Sequence, residues 1–133
     1  RHGGSVLIDR KQPLKSIKAI KGFAQKISNN NWSAIIFPEG TRSKTGHPKP
    51  FKTKGLQTLI THMPNALVVP ITINNSWKIL RYGKFPLGLG VHILFKVHKP
   101  LTTDQLNTPQ LIKKVEQIII NDIQVPLRKS LPL

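Results

Sequence analysis

Short apolar runs alternate with longer stretches of helical periodicity along this chain, and that alternation restricts it to an α/β layout more than any other feature. Residues 5–8, 32–37, 66–73 and 91–97 read as strands. Between them, Gln12-Pro13 opens a helix, because proline is tolerated at the first helical position. Leu14, Ile17, Ile20 or Lys21, Ala24 and Ile27 recur at helical spacing, and Asn29-Asn30-Asn31 ends the run. A second helix follows Phe51-Lys52, with Leu56, Leu59, Ile60 and Met63 as its inner face and Pro64-Asn65 as its stop. A third begins at Thr108 as N-cap with Pro109 in the first position, and buries Leu111, Ile112, Val115, Ile118, Ile119 and Ile123. Strands alternating with helices predict a mixed, mainly parallel sheet flanked by helices. One domain spans residues 1–125, and residues 126–133 are a frayed tail.

Within this pattern residues 66–73 form a continuous apolar run, expected to be a central strand buried on both faces. Pro70 interrupts it and predicts a bulge or the end of pairing, because proline has no N–H for the ladder. In residues 91–97, Val91, Ile93, Phe95 and Val97 alternate with His92 and Lys96, a half-exposed pattern that continues to His98. Neither His92 nor His98 has a carboxylate in register, so both read as surface positions.

Charge narrows the partners. The chain carries 21 Lys and Arg against 5 Asp and Glu, a net charge of +16. Such a surplus implies anionic partners: phosphorylated metabolites, anionic lipid head groups or nucleic acid. The absence of cysteine excludes disulfides and thiolate metal sites, and no metal cluster is visible. No apolar run approaches the roughly 18 residues of a membrane span, so contact with a bilayer is expected at its surface. Lys11, Lys15, Lys18, Lys21 and Lys26 give the first helix a basic outer face, which reads as a solvated face or as an attractor of anionic lipid. Residues 74–90 mix Trp77, Lys78, Arg81, Tyr82, Lys84 and Phe85. That mixture fits single-stranded nucleic acid, an interfacial loop on lipid head groups, or an ordinary loop with its aromatics packed inward.

The chemistry gathers where the second apolar run ends. Ile35-Ile36-Phe37 leads into Pro38-Glu39-Gly40-Thr41-Arg42-Ser43-Lys44. Proline and glycine break the strand, and a carboxylate and two cations enter a polar loop. Strand ends of this kind carry the sites of α/β proteins. Glu39 and Arg42 are close enough in sequence to reach one ligand, and the guanidinium fork suits a phosphate. The alternative is a surface turn closed by a local ion pair. Downstream, Gly46, Pro48 and Pro50 exclude regular structure until Lys52. A helix start with lysines beside it is an anion site on physical grounds, with Lys52 the candidate and Lys54 in reserve.

Phe37-Pro38-Glu39-Gly40-Thr41-Arg42-Ser43 resembles the F-P-E-G-T-R-S signature of the glycerolipid acyltransferases, the family of 1-acyl-glycerol-3-phosphate acyltransferase. Gly4-Ser5-Val6-Leu7-Ile8-Asp9-Arg10 resembles the family's G-x-x-F-I-D-R element, with Leu7 in place of phenylalanine, and Val69-Pro70-Ile71 resembles its V-P-I/V element. The resemblance implies transfer of a fatty acyl group from acyl-CoA or acyl carrier protein to 1-acyl-glycerol-3-phosphate (lysophosphatidic acid), giving phosphatidic acid. It implies that Arg10, Arg42 and Lys52 hold the acceptor's phosphate, and that Glu39, Gly40 and Thr41 orient its glycerol part, with Glu39 accepting from the glycerol or orienting Arg42. Val69, Pro70 and Ile71 would lie by the acyl-chain pocket. No cofactor, metal or nucleic acid is expected, and an anionic membrane surface on the cytoplasmic side is.

The family's catalytic element, H-x-x-x-x-D, is absent from this chain. Five residues after His2, His47, His62, His92 and His98 stand Leu7, Lys52, Leu67, Val97 and Thr103. His47 lies in the Gly/Pro loop with no carboxylate near it in sequence, a weak base candidate. The chain is therefore read as lacking the N-terminal elements that bear the base, and residues 1–133 alone are expected to be inactive. The other readings are a non-catalytic acyl-lipid or phosphate binder and a basic nucleic-acid-binding domain.

Overall fold

The computed structural model describes residues 13–83, 85, 87–104 and 106–124. Three helices and one antiparallel strand pair follow in the order α1 (Pro13–Asn29), α2 (Thr53–Thr61), β1 (Ile71–Asn74), a 3-10 turn (Ser76–Leu80), β2 (Leu94–Val97) and α3 (Thr108–Asn121). The apolar run at residues 5–8 and Arg10 lie outside the described residues.

Helix α1 buries Ser16, Ile20, Ala24 and Ile27, a stripe of i+4, i+4, i+3 spacing. Leu14, expected inside, falls on the opposite side and is 87% exposed. The helix ends as the asparagine run predicts. Asn31 takes the left-handed φ of 53°. The Trp32 amide then donates to Ile27 C=O and the Asn31 amide to Ser28 C=O, satisfying two orphan carbonyls of the last turn.

Helix α2 sits between its neighbours. Leu59 joins Ile20 and Ala24 of α1. Leu56 and Ile60 join Phe51 and Leu111, Ile112 and Val115 of α3. The bare α-carbon of Gly55 admits Ile20 Cδ1, which would stand 3.4 Å from an added Cβ. Wedged on two sides, α2 holds its N-terminal end, and so Lys52, in a fixed place. Truncating a core leucine such as Leu111 costs roughly 2–5 kcal/mol in comparable cores. The α3 start differs from expectation by one residue: Asn107, not Thr108, is the N-cap, because its Oδ1 reaches the Gln110 amide at 3.0 Å.

The strands depart further from the sequence reading. Residues 32–37 form no ladder with any described residue. Their backbone is nevertheless extended in side-chain pattern: Ile36 packs on both core clusters, whereas Ile35 and Phe37 are 84% and 70% exposed. An apolar run specifies extended backbone, but only a neighbour makes it a strand. A mainly parallel sheet is therefore not what the described residues display; their sheet is β1 paired antiparallel with β2, Ile71 opposite Val97 through Asn74 opposite Leu94. Nor is residue range 66–73 buried on both faces. Pro70, Thr72 and Asn74 face inward, while Leu67, Val69 and Ile71 face outward with Phe95 and Val97 of β2. The Pro70 reading fares better. Pairing resumes at Val68 opposite Leu101, four residues past Val97 against three before Ile71, so the β2 side carries one extra residue opposite the proline.

Candidate functional site

The signature loop begins with a tight turn. The Gly40 amide donates to Phe37 C=O at 3.0 Å, with Pro38 in the position that fixes φ. Gly40 has φ of 70°, the left-handed region that glycine enters without steric cost. The loop then closes on itself through Ser43, whose Oγ accepts from the Gly46 amide at 2.9 Å and the Thr45 amide at 3.3 Å.

Two distant parts of the sequence meet here. The Lys52 amide donates to Pro38 C=O at 2.8 Å, which sets the start of α2 against the turn. A Cβ added to Gly40 would lie 3.1 Å from Lys52 Cδ and 3.3 Å from its Nζ, so the lysine side chain runs across the bare α-carbon of the glycine. Lys52 is the N-cap of α2, the position next to unsatisfied helical N–H groups. The structure thus brings Lys52 to the Pro38-Glu39-Gly40 turn. Arg42 is exposed at the same loop. Lys54, the reserve candidate, is exposed in the first turn of α2. Arg10 lies outside the described residues, so its relation to Arg42 is not part of this geometry.

Glu39 is half-buried and makes no ion pair with Arg42; the described ion pairs lie elsewhere. The local ion pair that would have made this an ordinary surface turn does not form. Within residues 39–54 the sequence sets cations at 42, 44, 49, 52 and 54 against the one carboxylate of Glu39, a surplus of donors along the segment.

A residue that sequence reasoning passed over secures the loop. Lys49 Nζ donates to Thr41 Oγ1 at 3.0 Å and approaches Arg42 C=O at 3.5 Å. Nothing in a Gly/Pro-rich stretch marks that lysine in advance. Trp77, one of the aromatics of residues 74–90, packs inward on the same loop: an added Cβ at Gly46, where φ is 84°, would come within 2.9 Å of Trp77 Cδ1 and Cε2. Phe51, beside Lys52, is tied down as well, its amide donating to Glu116 Oε1 of α3 at 3.0 Å.

The acyl-side residues split by strand alternation. Val69 and Ile71 sit on the open apolar face, 41% and 42% exposed, and Pro70 is buried on the α3 side. His47 is exposed. His98 corrects the surface reading: its side chain is 13% exposed, and Nε2 lies 2.9 Å from Thr72 Oγ1 and 3.4 Å from Asp122 Oδ2. Lys96 Nζ stands 2.5 Å from the same carboxylate oxygen, an ion pair without hydrogen-bond alignment. Both contacts of His98 fall on one ring nitrogen, so this group is not a nucleophile–base–orienter relay, which needs both nitrogens. The carboxylate comes from the end of α3, too far along the chain for register reasoning to find. Among the described residues no group of His, Asp and Glu is placed to hold a metal, and no helix is long and apolar enough to cross a membrane.

A tight turn after an apolar run lies folded onto a helix start with lysine and arginine about it, an arrangement suited to an anion on physical grounds. More particularly, the chain belongs to the acyltransferase family, whose model matches residues 1–74. It is 36% identical over 114 residues to a 1-acyl-sn-glycerol-3-phosphate acyltransferase of Cocos nucifera, covering 84% of this chain and 35% of that protein. It is 34% identical over 122 residues to one from Limnanthes douglasii, covering 90% and 41% respectively. The chain thus spans about two fifths of the length of these curated relatives. In fold it is similar to the crystal structure of the 1-acyl-sn-glycerophosphate (LPA) acyltransferase PlsC of Thermotoga maritima, with a TM-score of 0.65, 23% identity, and coverage of 83% of this chain and 44% of that one.

Proposed function

We propose that this chain is the acceptor-binding part of an enzyme that moves a fatty acyl group from acyl-CoA or acyl carrier protein to the free hydroxyl of 1-acyl-glycerol-3-phosphate, giving phosphatidic acid. The relatives named for that reaction support the reading. The observation that carries it is the junction of Lys52 with the Pro38-Glu39-Gly40 turn inside the signature.

Arg42 and Lys52, with Arg10, grip the phosphate. Arg42 offers two parallel N–H donors and Lys52 a point charge. Glu39 accepts from the glycerol part, and Gly40 and Thr41 shape the floor under it. Val69 and Ile71 meet the acyl chain on the open face, and Pro70 sets the bulge that turns them there. A base outside residues 13–124 takes the hydroxyl proton, and the alcohol oxygen attacks the thioester carbonyl with the thiol leaving. None of the histidines here is assigned that role. The present residues supply orientation, an effect that can reach roughly 7–11 kcal/mol in a well-aligned reaction. The donor thioester is a co-substrate, and no resident cofactor enters the scheme. The whole domain is a mixed, mainly parallel sheet with flanking helices, working at the cytoplasmic face of an anionic membrane.

Arg42→Ala tests this in the complete enzyme. Loss of a charged hydrogen-bond donor, about 1.5–3 kcal/mol, raises the acceptor's KM by roughly 10- to 100-fold. An unchanged KM removes Arg42 from the phosphate site.

A further inference from the structure

We propose that the excursion from Trp77 to Leu89 is the surface by which this protein lies on an anionic bilayer, held by Trp77 beside the signature loop. The proposal rests on the reading above, in which the acceptor is a lipid.

The excursion departs from the 3-10 turn Ser76–Leu80 and carries its apolar side chains in solvent. Tyr82, Phe85, Leu87 and Leu89 are 66%, 89%, 50% and 94% exposed. Single exposed apolar residues need no explanation, but four described ones within eight positions concentrate apolar surface on one short segment. Residues 74–90 contain no Asp or Glu, so no carboxylate of the segment opposes an anionic surface. Two of its described cations lie against rings of the segment: Arg81 over Tyr82 at 5.7 Å and Lys78 over Trp77 at 6.0 Å from the centroids. The two leucines have no use in base stacking. They suit the acyl boundary of a membrane, with tyrosine at head-group depth and the cations among the phosphates.

The base of the excursion is closed. The Gly88 amide donates to Ile79 C=O at 2.8 Å, an approach a side chain would obstruct, since an added Cβ would meet Lys78 C=O at 2.5 Å. The patch is therefore presented on a tied stem. Trp77 on that stem packs on Gly46, and Gly46 is bonded to Ser43, the last residue of the signature. A lipid phosphate drawn from the surface meets the cations of the signature loop one indole away.

The test uses the 133-residue chain and vesicles free of lysophosphatidate, so that failure of the acceptor site cannot mimic failure of the surface. Sedimentation with phosphatidylcholine vesicles, with and without phosphatidylglycerol, gives the partition coefficient. Binding is expected only with phosphatidylglycerol, and the Phe85→Ser/Leu89→Ser pair is expected to weaken it at least tenfold while circular dichroism stays unchanged. Should the pair disturb folding, brominated phosphatidylglycerol is added to a Trp32→Phe chain, where Trp77 is the remaining indole; strong quenching is expected. Equal binding by wild type and variant, binding indifferent to phosphatidylglycerol, unquenched Trp77, self-association through the patch, or binding to oligonucleotide in place of vesicles would each overturn the proposal.

Discussion

Two clusters of charge in this molecule are built in opposite ways. At the end of α3, Asp122 meets Lys96 and His98 of the β2 side. Around it Asn74 Nδ2 donates to Asp122 C=O at 3.0 Å, and the Gln124 amide donates to Asn74 Oδ1 at 2.9 Å. At the signature loop, Arg42, Lys49 and Lys52 lie around a turn, and the oxygens that Lys49 meets are a hydroxyl and a carbonyl. The first cluster is neutralised and joins strand to helix. In the second, no ion pair with a described carboxylate forms. A cation already paired with a carboxylate must give up that pair to hold a phosphate, whereas an unpaired one gains outright. Crowding cations costs self-repulsion, and an arriving dianion relieves it. Among the described residues, the signature loop is the cluster without a carboxylate partner.

That contrast predicts different readouts for the two places. The largest effect is the Arg42→Ala rise in acceptor KM given above, with the melting temperature nearly unchanged because the side chain is exposed. Next comes Gly40→Ala. The φ of 70° is strained for alanine, and the new methyl would press on Lys52. Strain of about 1–3 kcal/mol is expected, shared between lost stability and a several-fold weaker acceptor affinity, measured by thermal denaturation and titration calorimetry. Thr72→Val follows, and here the readout moves to stability alone. It leaves His98 Nε2 without its hydroxyl partner inside the fold. A loss of about 1–2 kcal/mol is expected, with acceptor KM unaltered. Smallest is Lys96→Ala, which removes an ion pair whose lysine side chain is 62% exposed. Less than about 1 kcal/mol is expected from denaturant titration. A KM shift from Thr72→Val or Lys96→Ala would erase the distinction between the clusters.

Helices and turns were legible in the sequence because their signals are local. Pro13 and the asparagine run bound α1, the apolar spacing marks α2 and α3, and Pro38 with Gly40 marks the turn. Leu14 shows the limit: one apolar residue off the stripe reads as core when position alone is counted. Strands were less legible, because pairing is a property of two segments. Residues 32–37 keep an extended alternation without a partner among the described residues, and residues 66–73 hide a polar, hydrogen-bonded inner face behind an apolar string. Thr72 was the one visible hint of that face, a hydroxyl set among aliphatics. The motif marked Gly40 and Arg42, and the helix start marked Lys52, which the fold brings to the same turn. Sequence could not supply Lys49, nor the partner of Trp77, because both contacts depend on how the loop folds over.

The most direct measurement is an amide NMR titration of the chain with a short-chain, monomeric 1-acyl-glycerol-3-phosphate. Saturable shifts of the amides at residues 40–43 and 53–55 are expected, and they should vanish in Arg42→Ala. Shifts confined to the neighbourhood of Asp122 and His98, or no saturable shift, would contradict a phosphate seat between the signature turn and the start of α2.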